Sequence, residues 1–341
     1  MHQTDTVDTQ AVAENVPGAS VTVSDVLAAR KVVRQYLQPT PSMRSAALSE
    51  ALGCDVVLKC ENMQPTGAFK VRGGIYFMSQ LSAEERARGV VTASTGNHAQ
   101  SIAYAARLFD VRAVIYMPEV HNADKAAATR RFGAEVVAEG ADFDECRGNA
   151  ERHAERTGMR FIHSANEPWL IAGVGTYALE LIEEAPDLDV VIVPVGAGSG
   201  VCGTATVFKA LRPETKIIAV QAANMPAVYQ AFHERRHVTL KAGTTFAEGL
   251  ATRVTFEMPY QLMQRLVDDV RVVSEEAMRQ AMVLLLDKAH IVAEGAGAAS
   301  TALAMELAPE LYGKKVGLVV SGGNVTLDTI RRALTDNDVW S

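Results

Sequence analysis

From residue 56 onward, short β-branched runs alternate with amphipathic helical stretches, and this alternation narrows the fold more than any other feature of the chain. The runs are VVLKCE (56–61), VVTAS (90–94), RAVIYMP (112–118), EVVAEG (135–140), VVIVPVG (190–196), KIIAVQ (216–221) and KVGLVVSG (315–322). Strands this apolar need cover on both faces, which predicts an α/β protein of parallel sheets flanked by helices. Right-handed crossovers then gather the strand-to-helix turns on one side, where ligands bind. The units within 88–166 predict a small inserted α/β domain, and 21–87 with 167–341 predict a larger one. Residues 1–20 are polar and acidic and read as a disordered tail, not a secretory leader.

Composition excludes several classes. The net charge is −7 and no Lys/Arg block stands out, which argues against nucleic-acid binding. No apolar run is long enough for a transmembrane helix. The four cysteines, Cys54, Cys60, Cys146 and Cys202, show no C-x-x-C spacing. Neither a disulfide framework nor a zinc site is expected, which suits a cytoplasmic protein.

Three glycine turns share one chemistry: STGNHAQ (94–100), GAGSGVCG (196–203) and SGGN (321–324). Each follows a β-rich run and is expected to open a helix, whose unpaired N–H groups and dipole would cradle an anion. Residues 198–203, GSGVCG, also match the G-x-G-x-x-G dinucleotide pattern. The acid that pattern needs at the end of the next strand is replaced by Gln221, so a lone phosphate monoester fits better than a nicotinamide dinucleotide. Lys70, in PTGAFKVRGG (65–74), reads either as a solvated helix residue or as a chemically used amine. An amine beside a phosphate cradle suggests pyridoxal phosphate, with a generic phosphate-binding enzyme as the other reading.

The motifs KCENMQPTGAFKVRGG, VVTASTGNHAQSIAYAA, PVGAGSGVCG, IVAEGAGAAS and VVSGGN, in this order, resemble the fold-type-II pyridoxal-phosphate enzymes, in the threonine/serine dehydratase and serine racemase branch. The resemblance spans roughly residues 35–335. It implies a tryptophan synthase β-like fold of two parallel-sheet α/β domains with the cofactor between them. By motif position it makes Lys70 the Schiff-base lysine and general base, with Phe69 packed beside the cofactor ring. Asn97 resembles the residue that bonds the ring hydroxyl, although an asparagine there also reads as a helix cap. Ser94, Thr95, Gly96, Asn97 and His98 would surround the substrate carboxylate; His98 also reads as a structural histidine. Gly196, Ala197, Gly198, Ser199 and Gly200 would hold the phosphate. Ser321 would face the pyridine nitrogen, and Glu294 would lie near the ring or serve as a capping or ion-paired acid.

Departures from the branch sharpen the expectation. Thr95 stands where the racemases carry the serine that is their second acid/base, which puts racemisation in doubt. Gln221 and Ala227 occupy the positions where racemase-like members hold a divalent cation, so no metal site is expected. The appended regulatory domain of biosynthetic threonine dehydratases has no counterpart in the chain. The expected activity is β-elimination from L-threonine or L-serine, giving a 2-oxo acid and ammonia. A bulkier β-hydroxy amino acid of phenylserine or hydroxyaspartate type, serine racemisation and β-replacement are the near alternatives; an NAD-linked oxidoreductase and a non-catalytic binding protein are the distant ones. The branch also implies a homodimer or homotetramer.

Overall fold

The computed structural model describes residues 21–120 and 123–335; the tail expected over 1–20 lies outside them. Its strands are β1 (Ser42–Arg44), β2 (Asp55–Cys60), β3 (Val90–Ala93), β4 (Ala113–Met117), β5 (Glu135–Ala138), β6 (Arg160–Phe161), β7 (Val190–Pro194), β8 (Lys216–Ala222), β9 (Asp269–Val273) and β10 (Lys315–Val320). They form two sheets, a six-stranded one in the order β1-β2-β10-β7-β8-β9 and a four-stranded one in the order β5-β4-β3-β6. The α/β class and the predicted parallel pairing hold, with one correction. β1 runs antiparallel to β2, so the larger sheet carries an antiparallel edge. Pro39 and Pro41 precede β1; proline favours extended chain and withholds an N–H, which suits an edge.

Three strands escape the periodicity reading. β1 and β6 have three and two residues, too short to show any period. β9 exposes Arg271 between buried Val270 and Val273, as an outer strand of the sheet does.

Eight helices shape the site: α1 (Val23–Val33), α2 (Lys70–Gln80), α3 (Asn97–Leu108), α4 (Ala123–Arg131), α5 (Phe143–Thr157), α6 (Pro168–Glu184), α7 (Ser199–Leu211) and α8 (Gly295–Glu306). α6 is buried almost all round and packs against α1, α2 and α7. Small residues permit this. Gly73 and Gly173 face one another where α2 crosses α6, and a Cβ on either would strike backbone of the other helix.

Two cations and two carboxylates are buried at this crossing. Arg72 and Lys59 are fully buried, as is Glu61, and Glu180 is 4% exposed. Arg72 donates from Nε and Nη2 to Glu61, at 2.7 and 2.8 Å. Its Nη1 and Nη2 each donate to Glu180 at 2.7 Å. Lys59 Nζ donates to Glu180 Oε2 and to the Thr40 carbonyl, both at 2.7 Å. The cluster is formally neutral, and its paired geometry offsets the desolvation that isolated charges would suffer there. It ties β2, α2 and α6 into one block.

Burial alone raises the Glu180 carboxyl pKa, but Arg72 and Lys59 outweigh it and hold the group below its ordinary value. Its contribution to stability is therefore present above the ordinary carboxylate pKa and lost as pH falls through the depressed one. Arg72→Met strands two carboxylates with one lysine and is expected to cost about 3–5 kcal/mol, read as a lower urea midpoint at neutral pH. Glu180→Gln is expected to flatten the acid limb of the stability-versus-pH curve, measured by the same titration from neutral to acid pH.

Candidate active site

A cavity of about 430 Å³ opens where the segments following β3, β7 and β10 converge. These are carboxyl ends of strands from both sheets, as right-handed crossovers require. Lys70, the first residue of α2, lies at the cavity wall. Its Nζ donates to Ser199 Oγ at 2.7 Å and stands 5.3 Å from the Phe69 ring centroid. Part of its surface faces the cavity, yet the surrounding protein encloses the amine, and burial pushes its pKa down to about 8. Phe69 packs edge-on against Tyr177 with ring centroids 6.2 Å apart.

The loop 196–200 wraps the start of α7, and all five of its residues line the cavity. Gly198 has φ +106°, a conformation open to glycine at little cost. The first-turn amides of α7 lack intrahelical acceptors and lie beside the Lys70 amine. Ser199 carries the hydroxyl that holds this amine.

Residues 94–98 line the opposite side. Ser94 Oγ accepts from the amides of Gly96 and Ala99, both at 3.3 Å, so Ser94 serves the start of α3. Asn97 is the first residue of the helix and its side chain does not cap it. Instead Asn97 Nδ2 donates to Glu294 Oε1 at 2.6 Å, and Asn97 Oδ1 accepts from Asn324 Nδ2 at 2.8 Å. His98 is 5% exposed, with Nε2 3.1 Å from Thr92 Oγ1. That hydroxyl already donates to the Ile162 carbonyl at 2.8 Å, so His98 Nε2 carries the proton and Nδ1 the lone pair. Burial, with the charges of Lys70 and His163, pushes His98 down to about 3, so the ring is neutral at physiological pH.

SGGN behaves differently from the expectation that it opens a helix. The next helix begins only at Leu327. Ser321 and Gly322 instead pair with the chain before α2: Phe69 N–H donates to the Ser321 carbonyl at 3.1 Å, and Gly323 N–H to the Gly67 carbonyl at 2.8 Å. The helical start lies later, at Thr326, whose Oγ1 accepts from the Thr329 amide at 3.1 Å, and the pairing of 321–323 uses the groups a helix would leave free. Ser321 is 5% exposed and lines the cavity. The helix that does start here is α8, with Glu294 at its cap position but making no side-chain cap bond. Glu294 is buried, and desolvation raises its carboxyl to about 7 against the opposing pull of Lys125 and the Asn97 amide.

Gln221 is fully buried, and its Oε1 accepts from the amides of Val228 and Tyr229 at 2.9 and 3.1 Å. It caps the helix Ala227–Glu234, and Ala227 is buried beside it. Among the described residues no group of three or more His, Cys, Asp or Glu is placed to hold a metal ion. None of their helices is long and apolar enough to cross a membrane.

The sequence reading missed one side of the cavity altogether. Lys125, Phe143, Arg147, Met225, Arg253 and Phe256 line it. Lys125 pairs with Glu248 at 2.5 Å and Arg253 with Asp144 at 3.5 Å, each pair linking α4 or α5 to the segment 248–253. The segment FAEGLA (246–251) supplies Glu248 to Ala251 to the lining of this side.

An enclosed, partly neutral amine, a helix start with open amides and a neutral hydroxyl at Ser321 together fit a ligand that carries a carbonyl, a phosphate and a ring nitrogen. The comparisons agree with that donor set. The family described as pyridoxal-phosphate dependent enzyme matches residues 33–322. An L-threonine ammonia-lyase of Thermotoga maritima is 40% identical over 321 residues, covering 94% of this chain and 80% of its own length. A threonine deaminase structure from Solanum lycopersicum superposes with TM-score 0.86 at 32% identity, covering 91% of this chain and 86% of that one. A maize serine racemase structure does so with TM-score 0.87 at 31% identity, covering 93% and 98%.

An amine must be neutral to attack a carbonyl. The depressed Lys70 pKa therefore predicts that cofactor-free protein captures pyridoxal phosphate increasingly as pH rises through about 8, the value burial imposes. An ordinary lysine would require a pH above 10. The measurement is the rate of appearance of the protein-bound chromophore by stopped flow; a midpoint near the ordinary lysine value would show that burial does not tune this amine.

Proposed function

The chain belongs to the pyridoxal-phosphate dependent enzyme family, and on that premise we propose that it is an ammonia-lyase that removes the β-hydroxyl and amino groups of L-threonine and L-serine, releasing a 2-oxo acid and ammonia. The observation that carries this reading is the placement of the Lys70 amine between the Ser199 hydroxyl and the open cavity. Relatives named for threonine deamination, such as the Thermotoga protein at 40% identity, support the substrate class.

When bound, pyridoxal phosphate supplies an aldehyde for an amine and a conjugated ring that accepts the electron pair left by loss of the α-proton. Loop 196–200 and the first turn of α7 would hold its phosphate, and Phe69, Asn97, Glu294 and Ser321 would surround its ring. Ser321 offers a neutral hydroxyl there. A hydroxyl does not keep a ring nitrogen protonated as a carboxylate does, which favours prompt loss of a leaving group over a long-lived carbanion.

The chain's own groups carry the proton transfers and the orientation. Lys70, low in pKa through burial, acts as general base at the substrate α-carbon. Ser199 Oγ, 2.7 Å away, holds the amine in position. Open amides at the start of α3 and the Thr95 hydroxyl bind the substrate carboxylate, aided by the helix dipole. The His98 ring commits its Nε2 proton to Thr92 Oγ1, so its part in carboxylate binding is its backbone amide. Thr95 adds a methyl group where a racemase would need a small hydroxyl donor. The ion pairs Lys125–Glu248 and Arg253–Asp144 join α4 and α5 to the segment 248–253 beside the cavity.

The proposal includes the division into an inserted domain, 88–166, and a larger one, 21–87 with 167–341. It also includes a homodimeric or homotetrameric assembly and a cytoplasmic location; the described cysteines are all free and buried, which accords with a reducing compartment.

One observation favours a second reading. Arg147 lines the cavity, its Nε is buried without a hydrogen-bond partner, and Glu151 lies 3.7 Å away. A guanidinium with an unbonded Nε and only a loose ion pair to Glu151 would welcome an acidic β-substituent, as in β-hydroxyaspartate.

Lys70→Ala is expected to lower 2-oxo acid release from L-threonine by about 10²–10⁴-fold or more. Undiminished release would sink the assignment. For the second reading, kcat/KM for L-threonine and for β-hydroxyaspartate are compared in wild type and in Arg147→Met. A drop of about 10-fold or more for the acidic substrate alone, the scale of one charged hydrogen bond, would move the substrate; equal values would leave it at threonine and serine.

A further inference from the structure

Four glycine-bearing motifs meet beside the cavity through one residue that does not line it, Asn324 of SGGN. Its Nδ2 donates to two acceptors, the Thr66 carbonyl at 2.8 Å and Asn97 Oδ1 at 2.8 Å. Its side chain lies over Gly67, where a Cβ would collide with the amide. Thr66 and Gly67 belong to PTGAFK, Asn97 to STGN and Glu294 to AEGAG.

The order of donors along this chain is forced. A backbone carbonyl only accepts, so the nitrogen of the Asn324 amide must face Thr66. The same nitrogen then faces Asn97, so Asn97 must turn its oxygen toward Asn324. Its own nitrogen is thereby directed at Glu294 Oε1, 2.6 Å away. One N–H of that nitrogen is used there. The other is free for an acceptor in the cavity that Asn97 lines. With the Asn97 amide turned over, its carbonyl would confront the Glu294 carboxyl and any oxygen of a bound ring.

We propose that Asn324 is a positioning residue: anchored by the Thr66 carbonyl, it fixes which end of the Asn97 amide faces the cavity, so that Asn97 offers an N–H to an acceptor oxygen on the cofactor ring. The role rests on the reading of Asn97 as a cofactor contact. It also explains the pairing of SGGN with the chain before α2. The bonds from Phe69 to Ser321 and from Gly323 to Gly67 hold the Asn324 backbone at a set distance from Thr66.

The test uses holoenzyme and cofactor-free protein of wild type, Asn97→Leu, Asn324→Leu and the double variant. Three quantities are read: the visible absorbance maximum of the bound cofactor, its dissociation constant from fluorescence titration, and the melting temperature of the cofactor-free protein. Asn97→Leu and Asn324→Leu are expected to shift the absorbance band in the same direction. Each is expected to weaken cofactor binding by about 3–10-fold, the scale of one hydrogen bond. The double variant is expected to be no weaker than Asn97→Leu alone, because Asn324 acts through Asn97.

If Asn97→Leu shifts the band and Asn324→Leu does not, the positioning role is wrong and the reading of Asn97 survives. Additive losses in the double variant would likewise overturn it. If Asn97→Leu itself leaves band and affinity unchanged, the contact role of Asn97 falls and the positioning role falls with it. Should Asn324→Leu fail to fold, Asn324→Asp keeps the shape but cannot donate to Thr66 or Asn97. It is then expected to shift the band as Asn97→Leu does, and a wild-type band would overturn the proposal.

Discussion

Arg72 holds the site together from beneath. Its guanidinium has no solvent, so every N–H must find an acceptor within the protein; two carboxylates from different elements supply most of them and the Thr176 hydroxyl another. Glu61 follows β2 directly, and Glu180 lies in the last turns of α6. A planar fork of donors tolerates little rotation once it is doubly engaged. The position of α2 is set by that geometry, and Lys70 stands two residues before Arg72 at the start of the same helix. The close crossing of Gly73 with Gly173 completes the constraint, since it lets the α2 and α6 backbones approach near enough for the ion pairs to form. The Lys70 amine and the buried guanidinium thus share one turn of α2.

Above this block burial shifts three titratable groups of the cavity toward their neutral forms. The Lys70 amine is pushed down to about 8, the Glu294 carboxyl up to about 7, and His98 down to about 3. Each shift has desolvation as its largest cause, and each favours the neutral form. Backbone amides and hydroxyls are then available there as anion-binding groups, beside the Arg147 guanidinium of the lining. Two other cations of the lining, Lys125 and Arg253, are paired with Glu248 and Asp144. Groups shifted toward neutrality thus line the interior, and paired charges join α4 and α5 to the segment 248–253.

Legibility in the sequence followed the range of the interaction. Lys70 could be picked out because its neighbours form an unbroken motif, and the loop 196–200 because glycines follow a strand locally. Arg72 stands in the same motif but gave no sign of its role, because one of its partners lies 108 residues away. Asn97 also read as a helix cap until the structure placed its partners, which are 197 and 227 residues distant. SGGN was misread as a helix start because glycines after a strand usually lead into one; its pairing with residues 67–69 is a tertiary contact. The cationic side of the cavity, built from α4, α5 and the segment 248–253, left almost no trace, since charged residues on helices ordinarily read as solvated faces.

Local pattern was enough for the class of the fold, the succession of its principal strands along the chain and the family to which the motifs belong. These depend on periodicity and on contiguous motifs, which are properties of neighbours along the chain. Only the tertiary structure decided the antiparallel edge at β1, the neutral charge cluster under α2, and the direction in which the Asn97 amide points. Each of these depends on a hydrogen bond between groups far apart in the chain. Such a bond is specified by the distance and orientation that packing imposes, and no local pattern of residue types encodes it.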